Sequence, residues 1–301
     1  MTPVRWSICR LTLLVANDSG RQKLEPETRS LFSPEPGRTF FARVISGAQQ
    51  AAQAAGYRLL LCDTQGREEI EREFAELVYA HQADGVIQLR AYDPFEAPFP
   101  SAELPPIVNA CEVIQGGRHP TISLDNRAAA KAMTEHLIEL GHRRIGLIKG
   151  PKSSPLTRDR VAGYQDALRQ AGIASDAALI CHGDFSLKAG DDGAAAMLAL
   201  ADRPTALFCE NDEMAIGALK RIKQQGLRVP EDISLVGFDD IPFAAYCDPP
   251  LTTIAQPAEV FGQKAVEMLI ALIEKKPIAQ RHVVLPFELT LRNSTARVNE
   301  R

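Results

Sequence analysis

The sequence predicts an α/β protein of two doubly wound parallel-sheet lobes, joined by several crossovers. Three observations support this class. Short apolar runs alternate with amphipathic segments of helical period, the pattern of strands and helices in a parallel sheet. The alternation restarts near residue 124, and a tail after Pro249-Pro250 is too short to be a domain of its own. We therefore expect the tail to complete both lobes.

The first array covers residues 38–123. From Phe40 to Ala55 the apolar residues recur close to every 3.6 positions and stop at Gly56, which predicts a helix. A second amphipathic helix is predicted over 68–79. The predicted strands of this array are YRLLLC at 57–62, GVIQL at 85–89, PIVN at 106–109 and the short run 121–124.

The second array runs to residue 250. Its predicted strands are 144–149, 179–182, 206–209 and 234–238, and its predicted helices are 128–140, 159–170, 189–200 and 214–225. The tail adds a helix at 258–274 and extended segments at 283–292. Predicted boundaries are 38–123 with about 252–282 for the N-terminal lobe, and 124–251 with about 283–301 for the C-terminal lobe. A cleft between two such lobes is a usual small-ligand site.

Residues 1–37 are an atypical, partly disordered segment in this prediction. LTLLVA at 11–16 has the composition of a strand, and the polar stretch after it is rich in Pro and Gly. The apolar run is too short for a signal peptide. We find no pair of short helices around a tight turn, as a DNA-reading module would need.

Composition narrows the class of protein further. Hydrophobic residues make up 45% of the chain, charged residues 24%, and the net charge is −4, which is ordinary for a soluble globular protein and gives no basic footprint for nucleic acid. The six cysteines include no CxxC pair, which favours a reducing cytoplasm. The sequence has no apolar run long enough for a transmembrane helix, so no membrane partner is expected.

Four polar clusters follow predicted strands or begin helices. They are Asp125-Asn126, Arg158-Asp159-Arg160, Asn211-Asp212 and Asp239-Asp240. Open α/β sheets bind ligands at the carboxyl ends of their strands. Arg supplies a fork of donors, and Asp and Asn supply acceptors, so the clusters suit a ligand with many hydroxyls, such as a sugar or a ribose. Phe40, Phe41 and Phe185 could add aromatic faces.

Each cluster also has a structural interpretation. Asn211 or Asp212 is well placed to cap the following helix. Phe40 and Phe41 could pack in the core, Phe185 could pack in its loop, and one of Arg158 and Arg160 could be a surface residue. These alternatives stay open from the residues alone.

The sequence motifs give little support for an enzyme. The sequence has no HExxH, no GxSxG, no Cys/His spacing for a metal and no GxGxxG after the first clear strand. We therefore predict no catalytic residues, no metal and no cofactor.

Several long motifs resemble the LacI-type transcriptional regulators. They include SLDNRAAAKAMTEHLIELGHRRIGLIKGP, RVAGYQDALRQAGI, TALFCENDEMAIGALKRIKQQGLRVPEDISLVGFDDI and CDPPLTTIAQP, and the similarity covers residues 38 to 296. Within the family, the nucleoside-responsive repressors look most similar. The resemblance implies a periplasmic-binding-protein-like effector domain that dimerises and closes on a small molecule, here a nucleoside or sugar, in the cleft between the lobes.

The resemblance also implies individual roles. Arg160 looks like the arginine that clamps the effector, Asn211 and Asp239 like the residues that hold sugar hydroxyls, and Phe185 like the ring-stacking aromatic. The remaining ligand-binding predictions are Phe40 and Phe41, the aromatic pair of the first helix, and Asn109 as a weaker assignment. Asp212 is predicted to be the cap and turn former, and Gln256 to be structural with a partial ligand contact.

The N-terminus departs from the family pattern, in which a helix-turn-helix headpiece and a hinge helix come first. The prediction is therefore a ligand-sensing core that forms a homodimer and reaches operator DNA only if a headpiece is supplied. The candidate dimer faces are the helices at 68–79 and 258–274, both of which could instead pack on their own sheets. The alternative is a stand-alone solute-binding protein of a transport system, which would need an export signal.

Overall fold

The computed structural model describes residues 11–17, 39–63, 83–89, 105–114 and 116–298. The chain divides into two compact units. Of the described residues, unit 1 comprises 124–256 and 286–298, and unit 2 comprises those of 7–123 together with 257–285.

Unit 1 is built on a four-stranded parallel sheet with the order β7-β6-β8-β9. Its strands are β6 (Ile145–Lys149), β7 (Ile180–His182), β8 (Ala206–Cys209) and β9 (Ser234–Val236). Its helices are α2 (Asn126–Glu139), α3 (Pro155–Gln170), α4 (Leu187–Leu198) and α5 (Asp212–Gln224). Two short strands, β10 (Thr253–Ala255) and β12 (Glu288–Thr290), pair antiparallel in a separate ladder. Two 3₁₀ segments, Ala177–Leu179 and Pro242–Tyr246, complete the unit.

The sequence accounts for α5 at both of its ends. Asn211 caps the first turn, which also carries Asp212 and Glu213, where negative charge complements the helix dipole. Arg221 and Lys223 lie in the last turn. Gly226 follows with φ of +74°, a conformation that glycine adopts without strain, and so ends the helix.

Unit 2 is built on a six-stranded sheet with the order β11-β5-β4-β3-β1-β2. Its strands are β1 (Leu11–Asn17), β2 (Tyr57–Asp63), β3 (Gly85–Leu89), β4 (Ile107–Ala110), β5 (Thr121–Leu124) and β11 (His282–Leu285). Its described helices are α1 (Thr39–Ala54) and α6 (Ala258–Ile273). Because β11 adjoins β5, residues 283–285 belong to this unit rather than to the other side of the predicted boundary.

One strand of unit 2 departs from the predicted all-parallel sheet. β3, β4 and β5 are parallel, whereas β1 runs antiparallel to both of its neighbours. Leu13 lies opposite Leu61 on one side and opposite Ile87 on the other. An apolar run reads the same in both directions, so its pattern predicts a strand and not the direction of that strand.

Helices in both units pack at very close range. A Cβ built at Gly262 of α6 would overlap the Val44 carbonyl oxygen of α1, and one at Gly217 of α5 would overlap the Leu187 carbonyl oxygen of α4. Gly163 of α3 makes the same kind of approach to α2. These glycines let backbones touch, which no bulkier residue would allow.

The packing of α6 corrects one of the expected dimer faces. Its buried residues, among them Phe261, Ala265 and Leu269, lie within unit 2, where α6 packs on α1 and on strands β3 and β4. The apolar face of 258–274 is thus used inside the unit. The other expected face, 68–79, lies outside the described residues.

Within the described ranges, none of the helices has the length and apolar character needed to cross a membrane.

Candidate functional site

Polar side chains of unit 1 meet at the carboxyl edge of its sheet. Gly150 follows β6, Phe185 lies in the turn after β7, Glu210 and Asn211 follow β8, and Asp239 comes soon after β9. Parallel strands end at the same edge, so four separate stretches of sequence are brought together. Arg160 joins this edge from α3.

Arg160 is the centre of the cluster and is only 3% exposed. Its Nε donates to Asn126 Oδ1 at 2.9 Å, and its Nη1 donates to the backbone carbonyl of Glu210. Its Nη2 lies 4.0 Å from Asp239 Oδ1. The guanidinium carbon also lies 3.6 Å from the centroid of the Phe238 ring, a cation–π geometry. The planar fork is therefore held in one orientation before any ligand arrives.

Asp239 lies beside this arginine in a strained backbone conformation, with φ of +114°. Its Oδ1 accepts a hydrogen bond from Gln256 Nε2 at 2.7 Å, which confirms a structural role for that glutamine. Burial raises the pKa of Asp239 to about 7, while the Arg160 charge and the Gln256 hydrogen bond lower it. Strain and a raised pKa in one residue are typical of a functional site.

Asn211 has a double structural task. Its Oδ1 accepts from the Met214 backbone N–H at 3.0 Å, which makes it the cap of α5, and its Nδ2 donates to the Phe185 carbonyl at 2.9 Å. Each of its polar groups therefore already has a protein partner. The prediction that Asp212 is the cap is wrong. Its carboxylate instead accepts from Thr253 Oγ1 at 2.6 Å and from the Ile241 N–H at 2.9 Å.

Phe185 offers a half-buried ring at the same edge. Its φ is +68°, and the hydrogen bond from Asn211 to its carbonyl helps to hold this turn. A Cβ at Gly150 would overlap the Phe185 ring, so the ring lies directly on the Gly150 backbone. Glycine at position 150 therefore leaves free the space that the Phe185 ring occupies.

Two members of the cluster are not among the sequence-predicted site residues. Phe238 reads as the end of a core strand, and its completely buried ring stacks on Arg160. Glu210 is also completely buried, and its Oε2 accepts from the Gly150 N–H at 2.8 Å. The only signal for Glu210 is a charged residue directly after a fully buried strand, ALFC.

The other sequence-predicted residues belong to unit 2. Asn109 of β4 is 1% exposed, and within the described part of the chain neither polar atom of its side chain has a hydrogen-bond partner. Phe40 is buried and packs edge-on against Phe261 at 6.2 Å and Phe41 at 5.3 Å, so it takes the core-packing alternative. Phe41 is half-buried.

The remaining polar clusters also find structural partners. Asp125 caps α2 by accepting from the Ala128 N–H, and Arg158 is an exposed residue paired with Asp159. Asp240 pairs with Arg292 at 2.7 Å. Among the residues that the structure describes, no three His, Cys, Asp or Glu side chains are grouped to hold a metal.

These observations define a class of protein. Buried donors, acceptors and an aromatic ring at the carboxyl edge of a parallel sheet make a small-ligand receptor. Consistent with this class, residues 134–295 match the family described as a periplasmic binding protein-like domain.

The HTH-type transcriptional repressor CytR of Escherichia coli K12 is 39% identical over 279 residues, covering 92% of this chain and 82% of that protein. The ribose operon repressor of Haemophilus influenzae is 34% identical over 279 residues, covering 90% of this chain and 81% of that protein. A solved complex of the transcriptional regulator CelR with cellobiose superposes with a TM-score of 0.76 at 28% identity, covering 85% of this chain and 79% of that one.

The chain belongs to the LacI family of transcriptional regulators, and it is the ligand-sensing core of such a regulator. Two of these relatives are named as repressors and the third as a transcriptional regulator, so the transport alternative is not favoured.

Proposed function

We propose that this chain is the effector-binding part of a cytoplasmic repressor, and that its effector is a nucleoside or a sugar bound at the carboxyl edge of the unit 1 sheet. The observation that carries the proposal is the buried Arg160, fixed by Asn126 and Phe238 and placed 4.0 Å from Asp239. A fixed donor fork beside a carboxylate suits vicinal hydroxyls, which can accept from one group and donate to the other. The relatives support this chemistry, since one is named for a ribose operon and another was solved with cellobiose.

Each residue of the cluster has a role in this proposal. Arg160 donates to ring or hydroxyl oxygens, Asp239 accepts from hydroxyls, and Phe185 presents a face to a sugar ring or a base. Asn211 acts mainly by holding Phe185 in place, because its own amide is already engaged. From unit 2, Asn109 and Phe41 remain the proposed ligand contacts.

We infer in addition that the regulator is a homodimer and that it binds operator DNA. The 3₁₀ segment Pro242–Tyr246 of unit 1 exposes 62% of Phe243 and 86% of Tyr246. Two exposed aromatic residues in one short segment favour a protein interface. Sedimentation of the Phe243→Ser/Tyr246→Ser double variant should show monomers, and an unchanged dimer would remove this surface from the interface.

Arg160→Ala tests the effector site. Calorimetric titration with cytidine, adenosine, ribose and cellobiose should give at least one ligand of the unaltered chain, and the variant should bind it roughly 100-fold more weakly, as expected for a charged hydrogen bond worth about 3 kcal/mol. Arg158→Ala is the matched control, because Arg158 is exposed and pairs with its neighbour Asp159. Retained affinity in Arg160→Ala, within about threefold, would place the effector elsewhere.

A further inference from the structure

Glu210 joins three parts of unit 1 without contacting solvent. Its exposure is 0%, and its Oε2 accepts from the Gly150 N–H at 2.8 Å. In the described structure its Oε1 has no hydrogen-bond partner, and neither does the hydroxyl of Thr157, which is 2% exposed. That hydroxyl lies 2.6 Å from the place of a Cβ on Gly150 and is near enough to lower the pKa of the carboxyl. A buried hydroxyl and a buried carboxyl oxygen thus lie close together, each still open to a partner.

The cations around Glu210 do not neutralise the buried carboxyl groups near it. The cations that face it are Arg160 from α3 and Lys149 from β6. Arg160 is already engaged with Asn126 and stacked on Phe238, and it also faces Asp239. Asp212, which is fully buried, follows two residues later. Several buried carboxyls therefore share the Arg160 guanidinium and the Lys149 ammonium, and ionising all of them at once is unfavourable.

We propose that Glu210 is a positioning residue for the effector site, and that it performs this role as a neutral acid which ties the end of β6 to the first turn of α3. A neutral carboxyl can keep the Gly150 N–H on one oxygen while its own O–H donates to the Thr157 hydroxyl. Both ends of this tie lead to the site, because Gly150 supports the Phe185 ring and Arg160 lies one turn after Thr157. The effect on ligand binding rests on the proposed function above.

Loss of the proton reverses this hydrogen bond, because Thr157 must then donate its hydroxyl hydrogen to the carboxylate, and it leaves an additional negative charge in a dry environment. Burial raises the pKa of Glu210 from its ordinary 4.5 to about 8, while the Gly150 N–H, Arg160, Lys149 and Thr157 lower it. The neutral form therefore predominates at neutral pH, and ionisation takes place on the alkaline side. The tie should weaken there, and with it the placement of the ring and of the guanidinium.

Glu210→Gln separates this idea from a purely steric role, since glutamine keeps the shape and cannot ionise. Affinities for cytidine and ribose are measured by calorimetry for the unaltered chain, Glu210→Gln and Glu210→Ala, with the exposed Glu231→Gln as control. We expect the unaltered chain and the control to lose affinity roughly tenfold more than Glu210→Gln between about pH 6 and about pH 9, on the scale of about 1.4 kcal/mol per decade. The titration of Asp239 contributes to all of these chains, so the difference between them isolates Glu210.

Thermal unfolding provides a second reading that needs no ligand. The midpoint of the unaltered chain should fall more steeply with rising pH than that of Glu210→Gln. Coincident pH profiles for these two proteins, in affinity or in midpoint, would overturn the proposal even if Glu210→Ala does not fold. If neither probe nor any other nucleoside or sugar binds at any pH, the proposed function fails, and the midpoints alone decide whether Glu210 is neutral.

Discussion

Both units are built on a sheet with packed helices, but they differ in whether their buried polar side chains have hydrogen-bond partners. In unit 1, the amide of Asn211 is fully engaged by Met214 and Phe185, and Asp239 accepts from Gln256. In unit 2, the amide of Asn109 is equally buried, yet neither of its polar atoms has a partner among the described residues. A buried polar side chain that is hydrogen-bonded to the protein helps to fix the geometry of the site. One without a protein partner favours ligand binding, because the ligand supplies the missing hydrogen bond. We expect unit 1 to be preorganised and Asn109 to contribute most once a ligand is bound.

The largest effect is expected at the two close-packed helix pairs, α4 with α5 in unit 1 and α1 with α6 in unit 2. Here the two units should respond alike to substitution of a glycine. Gly217→Val in unit 1 and Gly262→Val in unit 2 each place a branched side chain against a facing backbone carbonyl. Each should lower the free energy of unfolding by about 3 kcal/mol, as overpacking does. Urea denaturation measures the loss. Lys220→Val and Gln263→Val, at exposed positions of the same helices, control for the helix propensity of valine. A small loss at only one glycine would show that the two pairs are not built alike.

Raising the pH into the alkaline range should lower the stability of unit 1 more than that of unit 2. Burial raises the pKa of Asp239 to about 7 and that of Glu210 to about 8, and it also raises that of Asp212. The stabilisation from these neutral carboxyls is complete below their ordinary values of 3.8 and 4.5 and is lost as the pH rises through about 7 and 8. In unit 2, the hydrogen bond from Arg43 lowers the pKa of Glu259, so its contribution is kept at alkaline pH.

Hydrogen exchange, corrected for the intrinsic rate, should therefore show protection falling in α5 more than in α1 as the pH is raised. Equal loss of protection in both helices would contradict the assignment of the titrating groups to unit 1.

Replacing Asn211 of unit 1 and Asn109 of unit 2 should have smaller and unequal effects on stability. Asn211→Ala should lower the free energy of unfolding by about 1 kcal/mol, because it removes a helix cap. Asn109→Ala should change it by less than about 0.5 kcal/mol, because a buried amide without a protein partner is lost together with its own desolvation cost. Its effector affinity should nevertheless fall. Chemical denaturation and calorimetry on the two variants test both expectations, and equal stability losses would show that Asn109 is held by protein groups.

A small effect should also come from two ion pairs, each of which links two helices within one unit. Arg43 donates two hydrogen bonds to Glu259 between α1 and α6, and Arg221 donates two to Asp191 between α4 and α5. Each pair is partly exposed, so Arg43→Ala and Arg221→Ala should each lower the free energy of unfolding by about 1 kcal/mol or less. Repeating the measurement at high salt should shrink both losses further. A salt-independent loss would point to packing of the arginine stems instead.

The class of fold and the family could both be predicted from residues alone, because they depend on local patterns. The strand at 206–209, the glycine at 226 and the polar residues after each strand appear in the sequence in the order in which they act. The positions of Asp239 and Phe185 follow from the same reasoning, since the carboxyl ends of parallel strands must meet. Arg160 lies within α3, and its role was implied by the family resemblance. Their role as ligand contacts stays a prediction.

The sequence by itself determined which segments become strands and helices, and to which family the chain belongs. Only the tertiary structure decided that Asn211 and not Asp212 caps α5, that β1 runs antiparallel to its neighbours, and that Phe238 and Glu210 belong to the Arg160 cluster. The reason is physical. Periodicity and propensity are properties of neighbours along the chain, whereas a hydrogen-bond partner, a stacked ring or a raised pKa depends on groups that only folding brings together.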